Sequence, residues 1–185
     1  MMITMKDIVR DGHPVLRQKA EKVQIPLSDT DKETMALLLD YIKNSQDPET
    51  AEKYDLRPGI GLAAPQINVS KQIFALHLED SNGREYSFSI ANPKIISHSV
   101  DKTYLTSGEG CLSVDENIPG YVVRYARVTI RGIDTDGAEV KFRLKGLAAI
   151  AAQHEIDHLN GIMFYDHINQ EDPFKEPDDA EPLER

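Results

Sequence analysis

The sequence has one cysteine, no long apolar run and fewer positive than negative charges, and each of these features excludes a kind of structure or partner. Cys111 stands alone among 185 residues, so no internal disulfide forms and a reducing cytoplasm is the expected compartment. No stretch approaches the roughly 20 apolar residues of a membrane span. The segment from Met1 to Lys6 leads into polar sequence without the apolar core of a signal peptide. We therefore expect neither a membrane partner nor export.

Positive charge is outnumbered, because 21 Lys and Arg stand against 31 Asp and Glu, for a formal net charge of −10. Nucleic acids and anionic membranes both require a cationic face on the protein. The net negative charge therefore argues against either as the main partner, although a local basic patch is compatible with it. The length suits one buried core. We predict a single catalytic domain over residues 1–168 and an acidic, proline-interrupted tail over residues 169–185.

Local patterns predict an α+β fold. Apolar residues recur on one helical face from Met35 to Ile42, after candidate N-caps at 28–30 and before Asp47-Pro48, which indicates an N-terminal helix. Alternating runs at 73–79 and 86–91, and again at 122–134 and 139–144, flank turn signals and predict two hairpins, with a less regular run at 94–105. A second helix, 147–158, follows and ends at Asn160-Gly161. This order favours antiparallel sheets packed around the second helix.

The second helix carries His154-Glu155-Ile156-Asp157-His158. Positions four apart lie one turn above each other, so His154 and His158 can present two imidazoles to one metal ion. Glu155 is placed beside them for proton transfer. This combination is typical of enzymes that hydrolyse amide bonds, although two histidines on the polar face of a helix also occur without a metal.

A third ligand has three candidate sources. One group of zinc proteases places a histidine six residues after the second, where this chain has Phe164. Another group uses a downstream glutamate, for which Glu171 and Glu176 are available in the tail. The third source is Cys111, whose thiolate binds divalent transition metals strongly. It lies in a glycine-interrupted turn, Gly108 to Ser113, where backbone can approach a ligand closely.

A third motif is Gly59-Ile60-Gly61-Leu62-Ala63-Ala64-Pro65-Gln66. Its small residues are consistent with a tight packing corner, and Pro65 keeps Ala64 out of a helix. The amide of Gln66 donates a hydrogen bond without giving up a proton, which suits an oxyanion.

Together, the segments 59–66, 109–113 and 153–158 resemble the three signature motifs of peptide deformylase, in that family's order. Gly12 to Arg17 is similar to the family's N-terminal segment, and the likeness covers about residues 6–166. Extra residues before Gly59 and after Ser113 are similar to the longer subclass, which occurs mainly in Gram-positive bacteria.

The resemblance implies that Cys111, His154 and His158 bind one divalent metal, with Fe²⁺ expected and Zn²⁺, Ni²⁺ or Co²⁺ as substitutes. It implies removal of the N-formyl group from the initiator methionine of nascent polypeptides, with release of formate. Glu155 would take a proton from water and return it to the departing amine. The Gln66 side chain and the backbone N–H of Leu112 would stabilise the oxyanion.

The methionine requires an apolar pocket, which Leu147, Ile150 and Ala151 are placed to line from the turns before His154. The backbone at Ile60 and Gly61 is expected to pair with the extended peptide. The substrate site is completed by residues of the cysteine turn, Glu109 and Gly110. Glu109 is further expected to pair with Arg124 or Arg127.

We expect a monomer. The tail lacks the basic helix by which some deformylases dock on the ribosome. If the protein acts close to the ribosome, we therefore do not expect it to bind there through a basic C-terminal helix. The main alternative is a zinc endopeptidase with a downstream glutamate as third ligand, and a non-enzymatic metal- or peptide-binding module comes third.

Overall fold

A computed structural model describes the whole chain, residues 1–185, as three α-helices and eight β-strands. The helices are α1 (Asp29–Gln46), α2 (Pro48–Tyr54) and α3 (Leu147–Leu159). The strands are β1 (Gly61–Ala63), β2 (Ile73–Glu79), β3 (Glu85–His98), β4 (Lys102–Leu105), β5 (Arg124–Tyr125), β6 (Arg127–Ile133), β7 (Glu139–Lys145) and β8 (Ala180–Leu183). Short 3₁₀ helices span Pro14–Arg17, Ala64–Ile67 and Phe164–His167.

Sequence signals at the helix ends explain where the long helices begin and stop. The hydroxyl of Ser28 accepts a hydrogen bond from the N–H of Asp31 and caps α1. Asp47 ends α1 and also caps α2, whose first residue is Pro48. α3 ends at Leu159, two residues before Gly161, whose φ of 72° lies in the left-handed region that favours glycine. A Cβ at this glycine would approach the carbonyl oxygen of Arg17 to 2.7 Å.

The main sheet has five strands in the order β1-β2-β3-β6-β7, and every neighbouring pair is antiparallel. Both hairpins predicted from turn signals are present, β2 with β3 and β6 with β7. A smaller sheet has the order β5-β4-β8, in which β8 pairs with β4 in parallel. β8 comes from the tail, so part of residues 169–185 is an extended strand that is bound to the body of the protein.

The main sheet is covered on both faces, but unequally. α3 packs on one face, where it buries the side chains of Phe74, Leu76, Ile90 and Ile130. α1 packs on the other face only over β1, β2 and β3, where it covers Ile73, Ala75 and Ala91. This arrangement confirms the predicted α+β fold, with antiparallel strands around the helix that carries the histidines. No helix has both the length and the apolar character needed to cross a membrane.

Candidate active site

Two separate elements bring three metal-binding side chains together. His154 and His158 lie one turn apart on α3, and Cys111 lies in the turn before β5. All three are buried, and their donor atoms lie within 4.8 Å of one another. The Sγ of Cys111 is 3.3 Å from Nε2 of His158. The chain segments between them are long, so the third donor reaches the helix only through the tertiary fold.

This donor set fits a divalent transition metal. Two ligands at 2.0–2.3 Å from a tetrahedral ion are about 3.5 Å apart, close to the observed sulfur to nitrogen distance. His158 has no hydrogen-bond partner for its buried Nδ1. Its pKa lies well below the ordinary value, chiefly because burial disfavours the charged form and also because the positive charge of Arg124 is nearby. A neutral imidazole is the form that binds metal.

A buried ion-pair network holds the first histidine. Nδ1 of His154 lies 2.8 Å from Oε1 of Glu109, which leaves its Nε2 to face the cluster. Both oxygens of Glu109 also accept hydrogen bonds from Arg124, at 2.8 and 2.9 Å. A third donor of Arg124 reaches Asp157 at 2.6 Å. Carboxylate to histidine contacts of this kind fix the ring orientation of a metal ligand.

The structure resolves the choice that the sequence left open for Glu109. Its partner is Arg124, whereas Arg127 pairs with Asp101 at the surface, 3.2 Å away. Burial alone would raise the pKa of Glu109, but Arg124 and His154 outweigh this and lower it to about 2. The carboxylate is therefore ionised, and its oxygens are occupied by protein partners.

Glu155 occupies a different environment. It is buried, and its Oε1 has no hydrogen-bond partner. Burial raises its pKa to about 7, against an ordinary 4.5. Oε2 lies so close to Gly61 that a Cβ there would be 2.5 Å away. A carboxylate with such a pKa is able to take up and release a proton near neutral pH.

Gln66 reaches the cluster from the 3₁₀ helix after β1. Its Oε1 accepts from the N–H of Ala63 at 2.9 Å, which orients the amide. Its Nε2 then donates to the hydroxyl of Ser113 at 3.1 Å and lies 3.5 Å from Sγ of Cys111. The N–H of Leu112, next to the cysteine, donates to no other group of the protein. Two donors thus lie beside the metal-binding cluster.

One cleft joins these groups. Every residue that the sequence analysis assigned to substrate binding lines it: Ile60, Gly61, Glu109, Gly110, Leu147, Ile150 and Ala151. Gln66, Cys111, Leu112, His154 and Glu155 line it as well. The strand β1 forms one wall and is an edge strand. The carbonyl of Ile60 accepts from the N–H of His77, so strand alternation turns the N–H and C=O of Gly61 to the open edge.

Sequence reasoning missed several contributors. Ser113 orients Gln66, and Asp157 shares Arg124 with Glu109. Asp157 is inside the histidine pentad, so its position on the helix was a usable signal. Arg185, the last residue, also lines the cleft. No local pattern indicated that placement, because it depends on the pairing of β8 with β4.

The alternative third ligands lie elsewhere. The group of donors close enough to share an ion consists of Cys111, His154 and His158, without a glutamate. Glu176 lies in a surface depression beside His167, and Glu171 is exposed. His167 itself pairs with Asp157 at 2.8 Å. The structure therefore does not favour the endopeptidase alternative.

Comparison with known proteins gives the same family as the sequence motifs. Residues 5–174 match the family described as polypeptide deformylase. The chain is 61% identical to peptide deformylase 2 of Bacillus subtilis over 184 residues, with full coverage of both chains. It is 65% identical to peptide deformylase 2 of Geobacillus stearothermophilus, also with full coverage.

Solved structures give the same family. Peptide deformylase from Ehrlichia chaffeensis superposes with a TM-score of 0.74 at 27% identity, covering 94% of this chain and 91% of that one. The Met-Ala-Ser complex of the class I type b enzyme from Acinetobacter baumannii gives a TM-score of 0.71 at 26% identity, covering 91% of this chain and all of the other.

Proposed function

The chain belongs to the polypeptide deformylase family, whose members remove the N-formyl group from nascent polypeptides, and we propose how its residues carry out this reaction. The observation that carries the assignment is the shared cleft. It contains the cluster of Cys111, His154 and His158 together with a buried carboxylate, Glu155. The family is metal-dependent, and we propose Fe²⁺ as the ion in the cell, with Zn²⁺, Ni²⁺ or Co²⁺ able to substitute.

The ion would act as a Lewis acid that makes a water nucleophilic near neutral pH and polarises the formyl oxygen. Glu155 takes a proton from the attacking water as the water oxygen forms a bond to the formyl carbon, because the unpartnered oxygen of Glu155 is available and its buried position keeps it close to the reacting atoms. It then gives the proton to the departing amine as the bond from the formyl carbon to the amine nitrogen breaks. Formate and a free amino terminus result.

Gln66 and Leu112 stabilise the charge that develops on the formyl oxygen. The amide of Gln66 is fixed by Ala63 and Ser113, so it needs no reorganisation during the reaction. The N–H of Leu112 has no competing acceptor within the protein. Loss of one such donor costs about 3 kcal/mol in other oxyanion holes.

The peptide lies along the open edge of β1. Gly61 offers its N–H and C=O to the peptide backbone, which adds a strand to the sheet. The methionine side chain enters the apolar side of the cleft formed by Leu147, Ile150 and Ala151 of α3. The relative solved with Met-Ala-Ser supports a peptide that begins with methionine. We further propose that the protein acts as a monomer in the cytoplasm, where formylated chains are made.

Two variants test these roles. The protein is purified anaerobically, its metal content is measured, and formate release from a formyl-Met tripeptide is followed. Cys111→Ser should lose metal and activity together. Glu155→Ala should keep its metal and lose turnover. Normal turnover by the second variant would refute the proton-transfer role.

The tail glutamates provide a matched control. Glu171→Ala and Glu176→Ala should retain metal and activity, since neither residue lies in the donor cluster. Metal loss in either of them, with normal metal in Cys111→Ser, would instead support the endopeptidase alternative.

A further inference from the structure

Six positive charges lie together on one part of the main sheet, in a chain whose net charge is −10. They are the side chains of Lys94, Arg127, Arg131, Lys141, Arg143 and Lys145, which we call the basic face. Alternate residues of β6 and β7 point to opposite sides, so the cations share one face while Val128, Ile130 and Leu144 turn to the core. All six are exposed.

The strand register places like charges opposite each other. Arg127 pairs with Lys145 across β6 and β7, and Arg131 pairs with Lys141. On its other side Arg131 lies opposite Lys94 of β3. Like charges directly opposite on neighbouring strands are destabilising. The fold therefore tolerates repulsion here, and an external anion would relieve it.

Internal acidic groups do not neutralise the basic face. Arg127 pairs with Asp101 at 3.2 Å and Arg131 with Glu139 at 3.4 Å, and both pairs are exposed. Exposed pairs of this kind contribute little. The other four cations form no ion pair within the protein. α1 covers the same side of the sheet only over β1, β2 and β3, so it leaves the basic face exposed.

The basic face adjoins the substrate groove. Lys145, at the end of β7, lies both in the shallow depression with Arg127 and Arg143 and in the outer groove with Ile60 and Leu147. That groove continues into the active-site cleft, which Ile60 and Leu147 also line. A partner that binds the basic face would therefore lie close to the mouth of the substrate groove.

We propose that the basic face binds the phosphate backbone of ribosomal RNA and so presents the groove to the emerging chain. Cations recur about 7 Å apart along each strand and about 5 Å across the pair, which forms a flat, multiply charged surface. Such a surface suits closely spaced phosphates without reading a base sequence. The substrate is a nascent chain, and RNA is the polyanion that accompanies its synthesis. The net negative charge of the protein does not prevent this contact, because binding depends on the electrostatic potential at the basic face itself.

Binding of fluorescently labelled protein to purified bacterial 70S ribosomes tests the proposal at several salt concentrations. Contact with about four phosphates predicts a slope of about −3.6 for log K against log salt, hence about 100-fold weaker binding at 200 than at 50 mM. Lys141→Glu/Arg143→Glu should weaken binding more than about 10-fold at 50 mM salt and reduce the slope by about 2.

A control variant has the same charge change elsewhere. Lys19 and Lys22 are exposed, form no ion pair and lie outside the cleft. Lys19→Glu/Lys22→Glu should bind ribosomes with the wild-type salt slope and less than about a threefold loss of affinity. Both variants should hydrolyse a formyl-Met tripeptide at the wild-type kcat/KM, which shows that they are folded. The neutral variant Lys141→Gln/Arg143→Gln should bind with intermediate affinity.

Two outcomes would overturn the proposal. In the first, the Lys141/Arg143 variant binds ribosomes like the control variant. In the second, wild-type protein binds vesicles with 30% phosphatidylglycerol, loses that binding in the Lys141/Arg143 variant, and does not bind ribosomes. The second outcome would assign the basic face to a membrane surface.

Discussion

Replacing Arg124 with methionine is expected to destabilise the protein by about 3–5 kcal/mol, the cost of removing one partner from a buried ion pair. The side chains of Arg124 and Glu109 are each 3% exposed. Methionine fills much of the same volume but leaves Glu109 without its bidentate partner. Asp157, which is 18% exposed, loses its partner as well but can be solvated in part. Most of the cost therefore falls on Glu109.

The electrostatics of the pair give a magnitude of the same order. Burial disfavours the charge of Arg124, yet Glu109 and Asp157 hold its pKa above the ordinary value. The pKa of Glu109 falls from 4.5 to about 2, chiefly because Arg124 overcomes the effect of burial. A shift of that size corresponds to about 3 kcal/mol in favour of the ionised form. The pair also orients His154, so metal affinity should fall about 10- to 100-fold.

Urea unfolding of metal-bound and chelator-treated protein measures the stability, and competition with a chelator measures the metal affinity. Arg127→Met is the matched control, because Arg127 is 60% exposed and pairs with an exposed Asp101. It should cost less than about 1 kcal/mol and leave metal affinity unchanged. A similar small loss in Arg124→Met, with normal metal affinity, would refute the role assigned to the buried network.

Three further predictions concern other parts of the protein. Gly61→Ala should lower kcat strongly, because its Cβ would meet the Glu155 carboxylate at 2.5 Å. Gly110→Ala has free space around the new Cβ and should leave kcat unchanged. Equal effects of the two variants on formate release would contradict this prediction. Burial raises the pKa of Tyr41 from 10.0 to about 12, so its contribution to stability is present below pH 10 and lost as pH rises through 12. Tyr41→Phe should flatten this alkaline decline in urea unfolding, and an unchanged decline would exclude Tyr41 as its source. Deletion of residues 180–185 removes Arg185 from the lining of the cleft and Leu183, Glu184 and Arg185 from the lining of the outer groove. It should raise KM with little change in kcat; an equal fall in kcat would show that the tail supports the reacting groups.

Local signals were sufficient for much of the fold. The cap at Ser28, the turn residues Asn82-Gly83 and Asp136-Gly137, and the stop at Gly161 each act within a few residues, and the structure has helix ends or turns at these positions. The spacing of His154 and His158 is also a local property of a helix. Patterns of this kind depend on backbone geometry and can be interpreted without knowing the tertiary structure.

Contacts between distant segments were not accessible in the same way. Charge and sequence position allowed Glu109 to pair with either Arg124 or Arg127, which are three residues apart. β5 directs Arg124 into the buried interior, and β6 directs Arg127 to the surface, so only Arg127 is exposed to water. The placement of Arg185 in the cleft likewise requires the parallel pairing of β8 with β4, which no turn signal indicates.

The basic face shows why alternation alone was not enough to detect an interaction surface. The alternating pattern of 127–133 and 139–145 indicates that each strand has an apolar and a polar side. Only the register puts Arg131 opposite both Lys94 and Lys141, and only the position of α1 leaves that side uncovered. Because overall charge averages over the whole surface, a strongly acidic chain is able to carry a local cationic surface. The same sheet thus supplies an edge for the substrate peptide at β1 and, at its far end, a surface suited to RNA.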